Sequence, residues 1–201
     1  MSLMARPPRP ERKSELMHDI LLYLQDKSIA DLTFRTLADG LGISSYVLVY
    51  HFGSREELIS QIVHAIEARP SEVLEPEMVT ADRAAFEAWL RHAWKVGIRE
   101  YGIQLQRLHF EAAMQDSVLE KQRGNGRKLY HSWVDVVQEW LSNQGLGEAE
   151  ARRTGRLFVA TLTGLRYDVI VTGEREEATE AFERLLKSFF LTIDSELKPG
   201  S

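Results

Sequence analysis

The chain has 201 residues, of which 44% are hydrophobic and 27% are charged, and it contains no cysteine. This composition is typical of a globular protein of one domain or two small ones, and it excludes disulfides and thiolate-based sites. No apolar run approaches the roughly 20 residues that a membrane helix needs, and no signal peptide is recognisable, so we expect a cytoplasmic protein. The net charge of −5 argues against a broadly basic nucleic-acid binder.

The first 13 residues form a locally basic segment. They carry four basic side chains and one acidic one, whereas residues 1–58 carry seven and eight, and residues 59–201 carry 18 and 22. Phosphate contacts supply most of the non-specific affinity for DNA, so a DNA-binding protein of this composition must place its positive charge locally. We expect residues 1–13 to be a flexible arm, either following a DNA backbone or minor groove or remaining a solvated tail. Residues 1–3 are expected to be a remnant of expression.

Apolar residues recur at helical spacing along nearly the whole chain, which predicts an all-α fold. The pattern predicts a first helix at about 12–26 and a second at 33–41, which Gly42 ends. A third short helix follows, and either Ser44 or Ser45 can cap its start.

A fourth helix begins after a break at Gly53. Ser54 and Glu57 have the spacing of a capping box, in which each end of the motif satisfies a free backbone N–H at the start of a helix. We expect this helix, at 54–68, to connect two domains. The proline-bounded stretch at 70–76 is the predicted boundary.

Beyond the boundary the pattern predicts long helices joined by short connections, which is typical of a helical bundle. One of the breaks is expected at Gly102. The predicted helices span residues 81–101, 103–115, 118–143, 148–172 and 175–196. We therefore assign residues 69–201 to a second domain.

Residues 33–52 have the pattern of a helix-turn-helix, with two short helices joined by a tight turn that contains Gly42. Periodicity alone leaves a plain helical hairpin equally open. Tyr46 and Tyr50, beside serines on the predicted outer face, favour a nucleic-acid interface because solvated helix faces usually carry Glu and Lys.

This segment resembles the TetR family of one-component regulators. The resemblance rests on Leu-Thr-x-Arg-x-Leu-Ala-x-x-Leu-Gly-Ile at 32–43, Tyr-His-Phe at 50–52 and Ser-Arg-Glu-Glu-Leu at 54–58. It covers residues 12–66 closely. It implies an N-terminal three-helix DNA-binding domain, here residues 14–53, and a C-terminal helical bundle for ligand binding and dimerisation.

The resemblance also implies which side chains contact double-stranded DNA. The sequence departs from the family at Val47, where a hydroxyl residue is frequent, and at Val49, where a tyrosine is frequent, so the details of docking are open. The implied DNA-binding residues are Arg35, Ser44, Ser45, Tyr46, Val47, Tyr50, His51 and Arg55.

The second domain is expected to bind a small hydrophobic or aromatic ligand of unknown identity, because it is rich in bulky side chains that could surround a cavity. A solid core is the alternative interpretation of the same residues. His92 is the expected polar anchor, and the histidines show no metal-ligand spacing, so neither a metal nor a cofactor is expected. The expected ligand-binding residues are Trp89, His92, Phe110, Met114, Tyr130, Trp133, Val137, Phe158 and Leu162.

The last two helices carry apolar seams that resemble the dimerisation helices of the family, although the seams could also close the bundle of a monomer. The expected interface residues are Phe158, Thr161, Leu165, Phe182, Leu186, Phe189 and Phe190.

Together these features predict a homodimeric transcriptional regulator, most simply a repressor that a ligand releases from a palindromic operator. An activator and a DNA-binding protein without ligand control are the alternatives. No nucleophile, base and orienting residue form a catalytic set, so we do not expect an enzyme.

Overall fold

The computed structural model describes residues 10–68, 76–118 and 125–197. These residues form nine α-helices and two short 3₁₀ turns, which confirms the all-α class. The 3₁₀ turns lie at Leu24–Asp26 and Pro76–Thr80. Most of the basic arm and of the boundary at 70–76 lies outside the described residues. The helices are α1 Pro10–Tyr23, α2 Phe34–Leu41, α3 Ser45–Phe52, α4 Arg55–Ala68, α5 Arg83–Gly97, α6 Glu100–Val118, α7 Asn125–Asn143, α8 Glu148–Thr172 and α9 Arg175–Glu196.

Local sequence determines how α2 and α3 begin and end. Thr33 caps α2 in a reciprocal capping box with Thr36. Gly42 ends α2 with φ of +65°, a left-handed conformation that favours glycine. The side chain of Ser44 accepts a hydrogen bond from the backbone N–H of Tyr46 and so caps α3. The tight turn of the predicted helix-turn-helix is therefore present.

The packing of α1 against α2 depends on a second glycine. A Cβ added to Gly40 would lie 2.0 Å from Cε2 of Tyr23, so only glycine fits against this ring in its present position. The hydroxyl of Tyr23 donates to the backbone oxygen of Thr36 at 3.1 Å. The ring of Tyr23 thereby joins the end of α1 to the middle of α2.

Two clusters of buried side chains fill the described part of the protein. One lies among α1–α4 and includes Leu108 and Ala112 of α6, so α6 belongs to the core of the N-terminal helices as well as to the bundle. The other lies among α5, α7, α8 and α9 and is rich in aromatic rings. There Phe86 stacks on Trp140 at 4.0 Å and Trp94 on Phe182 at 4.7 Å, measured between ring centroids.

Helices α8 and α9 have the predicted bounds, but the predicted break at Gly102 is wrong. The chain breaks at Ile98 and Arg99, and Gly102 lies in the first turn of α6. A Cβ on Gly102 would lie 2.5 Å from the backbone oxygen of Val96, so the glycine allows α6 to start against the end of α5. It serves close packing rather than termination.

The apolar residues expected at the dimer interface lie largely inside the monomer. Phe189 packs on Phe158, with ring centroids 4.3 Å apart, and Phe190 meets the ring of Trp140 edge-on at 5.9 Å. Both adjacent phenylalanines are therefore buried in the core of the monomer. The residues placed in the monomer core are Phe158, Phe182, Leu186, Phe189 and Phe190, whereas Thr161 and Leu165 are half-buried.

Candidate DNA-binding face and ligand cavity

The outer face of α3 is aromatic and apolar rather than charged. Tyr46 is 76% exposed, Tyr50 49% and Val49 47%. The rings of Tyr46 and Tyr50 stack with centroids 6.5 Å apart, and His51 meets Tyr50 edge-on at 5.1 Å. Ser44 and Ser45, also exposed, flank the tyrosines at the start of the helix. This face offers hydroxyls for phosphate or base edges and an apolar surface for thymine methyl groups.

Val47 does not lie on this face. It is half-buried and packs against the N-terminal core, next to the fully buried Leu48. The exposed valine is Val49, which the sequence-based set of DNA-binding residues omits. The helical period alone does not separate the two valines, because Val47 lies one turn from Tyr50 and Val49 one turn from Tyr46; the packing of Val47 on the N-terminal core does.

The two arginines expected at DNA are placed differently. Arg35 is exposed on α2. Arg55 turns inward: its Nε donates to the backbone oxygen of Leu32 at 2.6 Å, and its Nη2 donates to those of Ile29 and Ala30 at 3.2 Å. The guanidinium of Arg55 therefore fastens α4 to the loop before α2 and is occupied as a structural donor.

A cavity of about 540 Å³ lies between α4, α5, α6, α7 and α8. Its size is in the range of small-molecule sites, and apolar and aromatic side chains with a few polar groups surround it. The lining residues are Ile66, Ala93, Val96, Gly97, Arg99, Tyr101, Gly102, Leu105, Gln106, His109, Tyr130, Trp133, Val159, Leu162, Thr163 and Arg166.

Only part of the expected ligand-binding set lines this cavity, namely Tyr130, Trp133 and Leu162. His92 is exposed on α5 and Met114 is 67% exposed on α6, so neither faces the cavity. The others pack within the protein: Val137, Phe158 and Trp89 belong to the bundle core, and Phe110 meets Tyr167 edge-on.

The polar part of the lining was missed in the sequence. Arg166 follows Val159 and Leu162 and precedes Val169 at helical spacing, which puts a cation on the inner face of α8. That spacing is the pattern that could have revealed it. Its guanidinium carbon lies 5.3 Å from the centroid of the Trp133 ring, a cation–π contact that orients the cation without neutralising it.

Burial shapes the protonation of the two buried basic groups. Desolvation lowers the pKa of Arg166 to about 10, so the side chain is still a cation at neutral pH. Desolvation, and secondarily the charge of Arg166, lowers the pKa of His109, so its imidazole is neutral there. Protein atoms surround Arg166 except where its side chain faces the cavity, which solvent can enter.

The cavity adjoins the helices that support the DNA-binding face. Ile66 of α4 lines the cavity and also belongs to the N-terminal core. On α6, Gln106 and His109 line the cavity, while Leu108 packs in the N-terminal core. A molecule in the cavity would therefore contact both helices that join the two clusters.

The described residues contain neither a group of three or more potential metal ligands nor a helix long and apolar enough to cross a membrane.

Structural comparison defines the class of protein to which this fold belongs. The chain superposes on a TetR transcriptional regulator from Legionella pneumophila with a TM-score of 0.68 and 13% identity, covering 96% of this chain and 100% of the other. A transcriptional regulator from Rhodococcus sp. Rha1 gives a TM-score of 0.71 and 18% identity, with coverage of 92% and 95%. The fold is that of TetR-type transcriptional regulators.

Sequence comparison agrees with the fold. The chain is 29% identical over 151 residues to the HTH-type transcriptional repressor KstR2 of Mycobacterium tuberculosis, and the match covers 70% of each protein. No family model matches the chain. The resemblance to TetR-family regulators predicted from residues 12–66 is thus confirmed by both kinds of comparison.

Proposed function

We propose that this chain is a cytoplasmic, homodimeric repressor that leaves a palindromic DNA operator when a small hydrophobic or aromatic molecule enters the cavity. The observation that carries the proposal is the position of Ile66, which lines the cavity and packs in the core beneath α3. A ligand can thus act on the DNA-binding helices through the side chain of Ile66, which packs against the same core. The similarity to a repressor of Mycobacterium tuberculosis supports repression rather than activation.

The proposed DNA contacts come from the exposed face of α3 and from α2. Val49 takes the place of Val47, and Arg55 is left out because its guanidinium is occupied by backbone oxygens. Arg35 supplies the positive charge for a phosphate or a base edge. The contact set is Arg35, Ser44, Ser45, Tyr46, Val49, Tyr50 and His51.

The proposed dimer uses the outer face of α8. Leu157 is 69% exposed and Val171 63% exposed, and Gly164 between them is also exposed, so one stripe of the helix carries apolar and small residues around a single exposed acid, Asp168. Solvent-exposed apolar stripes of this kind mark interaction surfaces. A two-fold dimer that binds a palindromic operator must place its two recognition helices on one face of DNA, about 34 Å apart.

The proposed mechanism is a change in the relative position of the two DNA-binding domains. A ligand that fits one arrangement of α4 and α6 better than the other shifts the population toward that arrangement. Binding in the cavity displaces Ile66 and the α6 side chains, and the spacing of the recognition helices no longer matches the operator.

Binding to DNA that flanks the chain's own gene tests the proposal, with fluorescence anisotropy as the measurement. We expect Arg35→Ala and Tyr50→Ala each to weaken specific binding by about 1–3 kcal/mol. Glu139→Ala, at an exposed position of α7, is the matched control and should leave affinity unchanged. If neither α2 nor α3 variant weakens binding, the proposed face is wrong. If no compound in a library of hydrophobic and aromatic molecules changes DNA affinity, ligand control is wrong.

A further inference from the structure

Arg166 is a buried cation without a counter-ion in the part of the chain that the structure describes. Its Nε is buried and has no hydrogen-bond partner there. The described cavity lining includes a second arginine, Arg99, and no aspartate or glutamate. A cation in a poorly solvated site is unfavourable unless an opposite charge accompanies it. The missing charge therefore points to what the cavity binds.

The groups around Arg166 suit an anion of single charge. Nε2 of His109 is buried without a hydrogen-bond partner among the described residues, and Gln106 lies 3.5 Å from the other ring nitrogen. A neutral imidazole can donate one hydrogen bond to an anion and adds no charge. Arg99 is exposed to solvent, so Arg166 is the lining cation that needs a counter-ion, and one negative charge balances it.

The remaining walls define the rest of the ligand. The ring of Trp133 packs against one side of the Arg166 guanidinium, and Tyr130 lies one turn before Trp133 on α7. Leu105, Val159 and Leu162 add aliphatic surface. A planar carboxylate matches the two-pronged donor geometry of arginine, and the apolar walls match a hydrocarbon or aromatic body.

We propose that the cavity binds a monocarboxylic acid with an apolar or aromatic body, its carboxylate on Arg166 and its body against Trp133, Tyr130 and Leu162. This inference rests on the proposed function for its regulatory meaning, but not for the binding itself. It makes Arg166 the residue that selects acids over neutral molecules of the same shape.

Isothermal titration of the DNA-free protein tests the selectivity with matched pairs of probes. The pairs are decanoate with decanol, and 2-naphthylacetate with 2-naphthylethanol, within a wider series of straight-chain and aromatic acids. We expect the acids to bind more tightly than their alcohols, and Arg166→Gln to weaken acid binding by roughly 10- to 100-fold while sparing the alcohols. Arg152→Gln, an exposed position on the same helix, is the matched control.

A second measurement does not depend on the choice of probe. Arg166→Met removes the buried charge and keeps an unbranched side chain, so the ligand-free variant should unfold at a higher temperature than the parent protein. A lower unfolding temperature would show that Arg166 is structural and would overturn the proposal. Equal binding of acids and alcohols, no binding by any acid, or a preference that survives Arg166→Gln would overturn it as well.

The outcomes separate this proposal from the proposed function. Acids that bind through Arg166 without changing DNA affinity would support the ligand class and refute ligand control. Neutral compounds that release DNA and bind equally well to Arg166→Gln would support ligand control and refute the proposed ligand class.

Discussion

Arg107 and Glu111, one turn apart on α6, form an ion pair that holds the segment following α1. The Nη2 group of Arg107 donates to the backbone oxygens of Leu24 at 2.7 Å and Lys27 at 3.0 Å. The carboxylate of Glu111 accepts from the backbone N–H of Ile29 at 2.7 Å. The cavity-lining helix is thus bonded through polar groups to the domain that carries α3.

Removing this ion pair should destabilise the junction between the two cores. In Glu111→Ala, the N–H of Ile29 and the guanidinium of Arg107 lose a half-buried acceptor, which should cost roughly 2–3 kcal/mol. Urea unfolding monitored by circular dichroism measures the change. Glu139→Ala, at an exposed acid on α7, should change stability by less than about 0.5 kcal/mol. Equal effects of the two substitutions would contradict the importance of the pair.

Replacing Gly42 tests the turn of the helix-turn-helix. Its φ of +65° costs other residues roughly 1–2 kcal/mol, and nothing lies within 4 Å of the added Cβ, so strain rather than a clash is measured. We expect Gly42→Ala to lower the free energy of unfolding by that amount. Gly42→Asn should recover part of it because asparagine tolerates this conformation better. A fully neutral Gly42→Ala would mean that the turn adopts another conformation.

The two valines of α3 should separate stability from DNA binding. Val47→Ala removes a side chain packed on the N-terminal core and should cost about 1 kcal/mol of stability. Val49→Ala removes an exposed side chain and should leave stability nearly unchanged while weakening operator binding. Thermal unfolding and DNA titration of both variants provide the comparison. The reverse pattern would show that α3 meets DNA with a different face.

The exposed stripe of α8 predicts the effect of a charge on assembly. Leu157→Glu should convert the proposed dimer to a monomer, because it would bury two carboxylates next to the proposed two-fold axis. Sedimentation velocity reports the mass directly. Leu22→Glu, at an exposed leucine of α1, is the control and should leave the dimer intact. A Leu157→Glu dimer as stable as the parent would place the interface elsewhere.

His109 predicts a loss of stability on acidification. Its pKa is lowered in the folded protein, so the unfolded chain binds the proton more readily. The stabilisation is complete above the unfolded pKa of about 6.5 and declines as the pH falls toward the folded pKa, by at most about 1.4 kcal/mol per pH unit. His109→Gln should flatten this dependence, as measured by urea unfolding at several pH values. An unchanged slope would assign the dependence to other groups.

Local patterns predicted the parts of the structure that short-range chemistry determines. The cap at Ser44, the glycine that ends α2 and the capping box of Ser54 and Glu57 each involve atoms only a few residues apart. Local sequence was therefore sufficient for the two short helices and the turn between them.

Features that depend on distant partners were not predictable in this way. Phe190 is buried because Trp140 and Arg83 come from other helices to cover it. Gly102 is required by the carbonyl groups at the end of α5 rather than by its own helix. The cavity likewise forms where five helices meet. A search for bulky side chains in the sequence therefore identified only three of its lining residues, Tyr130, Trp133 and Leu162.

The inward turn of Arg55 has a consequence for how the protein responds to ionic strength. Each cation that contacts a phosphate releases counter-ions, and the salt dependence of affinity grows with the number of such contacts. Within residues 10–58, Arg12, Lys13 and Lys27 also have partners inside the protein. The described part of the proposed reading surface, made of hydroxyls, rings and Arg35, should therefore add little to the sensitivity of operator affinity to the potassium and magnesium content of the cell.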